Sequence, residues 1–152
     1  LEVVGDGPLR HGLPDMAAKA GLQPSDITCH GPKTATWLSE HGPGHLGLVA
    51  PARMPRAGRL GSRGLVVKEA MAMGLPVITT AITGLSEVVE PETGWLTPPQ
   101  TPDALTQAIR QLTAQKPERR WNMARQARSR IEAHFTLGHS ARSLSQAIEG
   151  LN

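Results

Sequence analysis

Tyrosine is absent from this chain, phenylalanine occurs once and tryptophan three times, so aromatic residues fill only 3% of the 152 positions. The core must be built from Val, Ile, Leu, Met and Ala. Cysteine is almost missing as well. Cys29 stands alone, which excludes an internal disulfide and a Cys-rich metal site and is compatible with a reducing compartment. No apolar run approaches the ~20 residues that cross a bilayer as a helix. Neither sign of charge dominates: 16 basic and 13 acidic residues leave a formal charge of +3. That is too mild to argue for nucleic acid, yet it tolerates an anionic ligand or a membrane surface. Repeats and low-complexity segments are lacking too. The length is that of one domain of ordinary size, able to bury a sizeable core.

What is present centres on residues 61–80, GSRGLVVKEAMAMGLPVITT. A Gly-punctuated loop ends at Gly64. Leu65 to Met73 follows at helical spacing, with Val66, Ala70 and Met73 forming a stripe and Leu65 and Ala72 beside it. Gly74 suits a C-terminal cap where φ turns positive. Pro76-Val77-Ile78 opens a β-branched run typical of a buried parallel strand. A loop feeding a helix N-terminus aims free N–H groups and the positive end of the helix dipole at whatever lies in front, an arrangement that suits a phosphate. Glu69, one turn in, is placed to accept hydrogen bonds from a ribose diol; the alternative is an exposed helical Glu paired with a nearby cation or with solvent. Gly64, Leu65 and Val66 would offer backbone N–H groups to a diphosphate, or simply form an ordinary first turn.

The flanking chain reads as alternating strands and helices. Leu1 to Val4 is a short strand and Gly5-Asp6-Gly7-Pro8 its turn; with no third Gly at the right spacing, this is not a dinucleotide fingerprint. Leu9, Leu13, Ala17 and Ala20 make a helical stripe with Pro14 inside it, so that helix is kinked or starts late. Asp26 to His30 reads as a strand, Thr34 to Glu40 as a short helix, and Leu46 to Ala50 as a strand ending at Pro51. Residues 52–63 form a basic loop with Arg53, Arg56, Arg59 and Arg63, either a phosphate or acceptor clamp or a solvated loop. Thr101-Pro102-Asp103 starts a helix with Thr101 as N-cap, and Leu105, Ala108, Ile109 and Leu112 mark its apolar face. Pro117 opens another helix, with Trp121, Ala124, Ile131 and Phe135 facing inward. A last helix carries Ala141, Leu144 and Ile148.

Two tempting clusters fail on spacing. His41 and His45 have helical ligand spacing, but Gly42-Pro43-Gly44 between them breaks a helix, so no metal site is read there. Arg119, Arg120, Arg125, Arg128 and Arg130 are read as a solvated helix face rather than a nucleic-acid surface.

The segment GLVVKEAMAMGLPVIT resembles the donor-site signature of retaining GT-B glycosyltransferases of the family-four type, group 1. Leu1 to Arg10, Ile27 to Gly31, Leu48 to Pro51 and Thr93 to Pro99 are similar, in order, to successive strands of their C-terminal domain. The resemblance implies an α/β, Rossmann-like three-layer domain with a parallel sheet, the nucleotide-sugar-binding half of a GT-B fold over residues 1–152. It implies donor contacts from Glu69, Gly64, Leu65 and Val66, and a sugar-facing turn at Thr83-Gly84-Leu85-Ser86-Glu87. Gly61 falls among these donor-binding positions too, and Arg63, Gly84 and Glu87 lie where phosphate or sugar contacts fall. The family carries a second Glu with seven residues between it and the position of Glu69, and here that position is Gly61. Gly cannot replace a carboxylate, so sugar positioning and turnover are both in question. No catalytic residue is assigned within the chain.

The expected activity is transfer of a sugar from a nucleoside diphosphate to an acceptor glycan or lipid-linked glycan in polysaccharide or glycoconjugate synthesis, of the hexosyltransferase kind. No cofactor and no metal are expected, and no nucleic-acid partner. The expected setting is cytoplasmic, with peripheral association at the inner membrane face. The chain opens on a strand and without Met, which reads as a fragment lacking the domain's first strand, the family's phosphate-gripping Arg and Lys, and the N-terminal acceptor domain; alone it would be incomplete for turnover. The rival reading is a degenerate module that binds a nucleotide or a protein without catalysis. A third is a generic doubly wound domain with no preference for a nucleoside diphosphate.

Overall fold

The structure is a computed structural model that describes residues 1–52 and 63–149, with Arg63 and Ser143 described by their backbone alone. It divides into two compact units, Leu1–Glu40 and His41–Asn152.

In the first unit, strands β1 (Glu2–Val4) and β2 (Thr28–Gly31) pair in parallel, Glu2 opposite Thr28 and Val3 opposite Cys29. The register shifts before Val4, which meets Gly31. Gly31 sits at φ +72, and the Arg10 guanidinium lies about 3.1 Å from where a Cβ would stand there, so both backbone angle and space favour glycine. A 3-10 turn at Arg10–Gly12 leads into helix α1 (Leu13–Lys19). Pro14 falls in the first turn of α1, where its missing N–H costs nothing, so the helix starts late rather than kinks. Helix α2 (Ala35–His41) is capped by Thr34, whose Oγ1 accepts from the Trp37 N–H at 3.2 Å. Glu2 and His30, on paired strands, meet at 3.0 Å.

The second unit holds a three-stranded parallel sheet in the order β3 (Leu48–Ala50), β4 (Val77–Thr80), β5 (Gly94–Thr97). Central β4 is buried along its whole length. Successive side chains of a strand point to opposite faces, and both faces are covered. Val77 packs with Val67, Ala70 and Met71 of helix α3 (Arg63–Ala72) and with Ala127 and Ile131 of helix α5 (Pro117–His134). Ile78 packs on the other face with Ala108 and Leu112 of helix α4 (Pro102–Ala114). Helix, sheet and helix form three layers, which is why VITT reads as an unbroken run rather than an alternation. Gly94 allows the closest approach in the sheet: a Cβ there would stand about 2.1 Å from the Val77 carbonyl oxygen.

Several sequence expectations shift. Helix α3 begins at Arg63, so Gly64 lies inside its first turn instead of ending the preceding loop. The inward face of α3 is Val67, Ala70 and Met71; Val66 and Met73 pack at its margin, while Leu65 and Ala72 face solvent. The helix ends as expected: Gly74 sits at φ +76, its N–H reaches Met71 O at 3.0 Å, and the Leu75 N–H reaches Ala70 O at 2.9 Å. Trp121 does not face inward. It is 65% exposed, because α5 buries the i, i+4, i+8 set Met123, Ala127 and Ile131 and Trp121 lies about 200° around the helix from Met123. Arg125 covers its ring at 5.1 Å instead. Ile109 sits at the edge of the apolar face of α4, partly exposed at 37%. Thr101 holds the N-cap position of α4 as expected, but its hydroxyl makes no cap bond and donates to Pro99 O at 3.2 Å instead. Helix α6 (Leu137–Glu149) follows α5 and leaves Leu137, Leu144 and Ile148 exposed.

Candidate functional site

The strands of the second unit all run the same way, so their C-terminal ends share one edge, where open α/β sheets bind ligands. Ala50, Thr80 and Thr97 end there. Threonine hydroxyls stitch that edge together. Thr79 Oγ1 donates to Ala50 O at 2.8 Å, Thr97 Oγ1 donates to Thr79 O at 3.2 Å, and Thr80 Oγ1 accepts from the Ala52 N–H at 2.9 Å. All three threonines are buried. These hydroxyl bonds tie neighbouring strands together where the loops leave the sheet.

Helix α3 starts at this edge and runs back to β4. Its first N–H groups have no partner within the helix. Gly64 contributes one of them and faces open space, since a Cβ there would meet nothing within 4 Å. Leu65 is 58% exposed beside it. Glu69 lies one turn further on the same face as Leu65 and is half-buried. Among the described residues its carboxylate has no hydrogen bond or ion pair, although its backbone oxygen accepts from Met73 at 3.0 Å. Its neighbour Lys68 turns away, with Nζ 4.8 Å from the Phe135 ring centroid. A half-buried carboxylate left without a cation is an acceptor available to hydroxyl donors.

The turn after β4 forms the other side of the site. Ile82 N–H returns to Thr80 O at 2.8 Å, and Ile82 O accepts from the N–H groups of Leu85 and Ser86 at 3.0 and 3.2 Å. Gly84 takes φ +84 at the tip, and Leu85 plugs into the core beside α3. Glu87 is exposed. Thr83, Gly84 and Glu87 therefore stand at the same sheet edge as the first turn of α3.

Of the residues read from sequence, Gly64, Leu65, Val66, Glu69, Gly84 and Glu87 fall on elements that meet at this edge. Gly61, Arg53, Arg56 and Arg59 lie outside the described residues, as does the side chain of Arg63. The histidines do not assemble. His41 ends α2, the segment Gly42–Gly44 is a single 3-10 turn, and the His45 ring Nδ1 is 3.0 Å from His41 O. Among the described residues no group of three or more His, Cys, Asp or Glu is placed to hold a metal ion. No helix among them is long and apolar enough to cross a membrane. Sequence reading missed the threonine stitching and also Arg130, whose guanidinium grips the turn: Nε donates to Val88 O and Nη2 to Glu87 O, both at 2.8 Å, and Nη1 meets Glu90 Oε1 at 2.6 Å. Nothing in the spacing of α5 separates Arg130 from the four other arginines of that helix; the signal is its place one residue before buried Ile131.

Residues 1–115 match the family model described as glycosyl transferases group 1. WcaL of Escherichia coli (strain K12), assigned by name to colanic acid biosynthesis as a glycosyltransferase, is 30% identical over 88 residues, covering 57% of this chain and 22% of that protein. Sucrose-phosphate synthase from Thermosynechococcus elongatus superposes with a TM-score of 0.79 at 29% identity, over 99% of this chain and 38% of that one. WaaG, a glycosyltransferase involved in lipopolysaccharide biosynthesis, superposes with a TM-score of 0.74 at 25% identity, over 94% of this chain and 36% of that one. The architecture is that of the C-terminal half of the GT-B fold. The chain thus spans well under half the length of each of these proteins.

Proposed function

The chain belongs to the group 1 glycosyl transferases, and we propose that it is the part that holds a nucleoside-diphosphate sugar for transfer. The observation that carries this reading is Glu69: a half-buried carboxylate with no partner among the described residues, on a helix whose open first turn stands at the ligand-binding edge of a parallel sheet. In this reading the first turn of α3, Gly64 to Val66, takes the diphosphate through backbone N–H groups, and Glu69 takes the ribose diol. The turn from Thr83 to Glu87 faces the sugar; Gly61, which the resemblance sets among the donor-binding positions, and the Arg63 side chain lie outside the described residues. The phosphate charge is met by N–H groups, the helix dipole and cationic side chains, so no metal is assigned to the site and no cofactor besides the donor.

Transfer, with retention at the anomeric carbon and of a hexose, is assigned to the whole protein. Its acceptor is proposed to be a glycan or lipid-linked glycan at the inner face of the membrane, in the cytoplasm, and no nucleic acid is assigned as a partner. Colanic acid and lipopolysaccharide are what two of the similar proteins are named for, and a surface polysaccharide is proposed here by that likeness. The 152-residue chain by itself binds and does not turn over; detectable transfer by it would overturn that statement.

Calorimetric titration of the chain with UDP, GDP and ADP tests the donor site. Saturable binding of one of the three supports it, and no binding of any, with the chain folded, counts against it. A second reading follows from Gly61, which leaves the site without the carboxylate that the family places there: a module that binds without catalysis. Gly61→Glu in the whole protein separates the two. A large rise in transfer rate marks a weakened enzyme, and an unchanged rate marks a module.

A further inference from the structure

The C-terminal end of α5 touches both sides of the proposed donor site, through two residues that the family signature does not include. Arg130 is only 20% exposed and makes three contacts with one short segment: Val88 O, Glu87 O and the Glu90 carboxylate. No backbone N–H among the described residues reaches the Glu87 or Val88 carbonyl, so the guanidinium is what satisfies them. Five residues on, the Phe135 ring packs against the core cluster with Lys68 Nζ 4.8 Å from its centroid and Arg130 Cζ 5.8 Å from it. Lys68 is the neighbour of Glu69. Arg130 on α5 therefore holds the turn that bears Gly84 and Glu87, and Phe135, just past the helix end, meets the helix that bears Glu69.

Leu85, Val88 and Val89 are already buried and fix the inner side of the turn. What burial does not fix is the tilt of the segment toward the sheet edge. A planar fork that takes adjacent carbonyls and a carboxylate at once sets that tilt, and an ammonium on a flexible stem cannot reproduce it.

We propose that Arg130 is a positioning residue for the sugar portion of the donor: it sets the turn from Thr83 to Glu87 against α3 without touching the ligand. The inference rests on the donor-site reading above. It predicts a split within one ligand, in which the nucleotide portion, held by α3, is indifferent to Arg130 and the sugar portion is not.

Saturation-transfer NMR on the 152-residue chain reads that split directly, by comparing the sugar H1 signal with the ribose H1′ signal of the same bound molecule. UDP-glucose, GDP-mannose and ADP-glucose are the probes, each with wild type, Arg130→Met, Arg130→Lys and the control Arg128→Met, which breaks only the exposed pair with Glu132. In Arg130→Met the sugar-to-ribose ratio is expected to fall by about half or more while the ribose signal holds, because a loosened support misplaces only the group it orients. Arg130→Lys is expected to fall as well, and Arg128→Met to match wild type. An unchanged ratio in Arg130→Met, or equal loss of both signals, overturns the inference and leaves the donor site standing. If Arg130→Met does not fold, the ratio in Arg130→Lys decides on the same terms. A wild-type chain that shows no ribose signal with any of the three probes overturns the donor-site reading, and this inference with it.

Discussion

Replacing Glu69 by Gln or Ala separates a ligand-binding carboxylate from a structural one, because the two roles predict opposite pairs of changes. In the folded chain the Glu69 carboxylate makes no contact with a described cation or donor, and the helix is anchored through Val67, Ala70 and Met71, which are at most 1% exposed. Removing a half-buried side chain without partners changes stability by no more than about 0.5 kcal/mol. Ala is also a slightly better helix former than Glu. For a chain of this size about 0.5 kcal/mol corresponds to a melting shift of roughly 1–2 °C. The binding side is different in scale. A carboxylate accepting from a ribose diol makes charge-assisted hydrogen bonds worth about 1.5–3 kcal/mol, and each ~1.4 kcal/mol is a factor of ten in Kd. Calorimetry of the best-bound nucleoside diphosphate should therefore show a loss of roughly 10- to 150-fold, with Gln near the lower end because its amide oxygen still accepts. The reasoning is refuted if Glu69→Ala melts more than about 4 °C lower while binding is unchanged; Glu69 would then be a structural residue.

Gly64 and Gly94 predict opposite outcomes for the same substitution. At Gly64 an added Cβ meets nothing within 4 Å, so Gly64→Ala should stabilise the helix by about 0.5–1 kcal/mol in thermal melts, while weakening nucleotide binding if the backbone there must approach phosphate. At Gly94 the Cβ would stand about 2.1 Å from the Val77 carbonyl and cannot be relieved by a rotamer, so Gly94→Ala should cost about 3 kcal/mol or more by urea denaturation. Met71, fully buried against α5 and β4, should cost about 2–5 kcal/mol as Met71→Ala, read in the same assay; a smaller loss would mean that the α3 contact closes over the gap. Thr79→Val keeps the shape and removes the hydroxyl that donates to Ala50 O at 2.8 Å, an expected loss of about 1–2 kcal/mol; if urea midpoints do not move, the stitching of the sheet edge contributes nothing to stability.

The parts of the fold that rest on local chemistry were legible. Gly74 with its positive φ, the β-branched run of β4, and the Pro at the start of α4 each state their conformation within a few residues. What was not legible depends on which way a helix is turned. On α5 the large apolar Trp121 suggests an inward position, but the core takes Met123, Ala127 and Ile131, with Phe135 packed in the same phase just past the helix end, because close packing against α3 needs a small residue at its centre and a bulky indole would hold the helices apart. On α3 the stripe Val66, Ala70 and Met73 does reach the core, Ala70 buried and the other two packed at its margin, but Val67 and Met71, outside that stripe, are the fully buried ones. Hydroxyl bonds between distant strands, and the grip of Arg130 on carbonyls 42 and 43 residues away, have no local pattern to read.

The rotation of α3 also explains how one short helix can serve both core and ligand. Val67, Ala70 and Met71 lie on its inner face, while Leu65, Glu69 and Ala72 lie on the outer one. The inner face fixes the axis; the outer face and the first turn are then free to be chosen for chemistry. Had the apolar stripe run through Leu65 and Ala72, Glu69 would sit inside it, and an unpaired carboxylate in the core would be neutralised rather than available. The two faces should consequently behave as independent sites: the affinity lost on Glu69→Ala should be the same within about 0.5 kcal/mol with or without Met71→Ala, measured on the folded fraction. Strong coupling between them would mean that the carboxylate is held in place by the core beneath it, and that the orientation of Glu69 is set by the packing of α5 as the turn at Glu87 is.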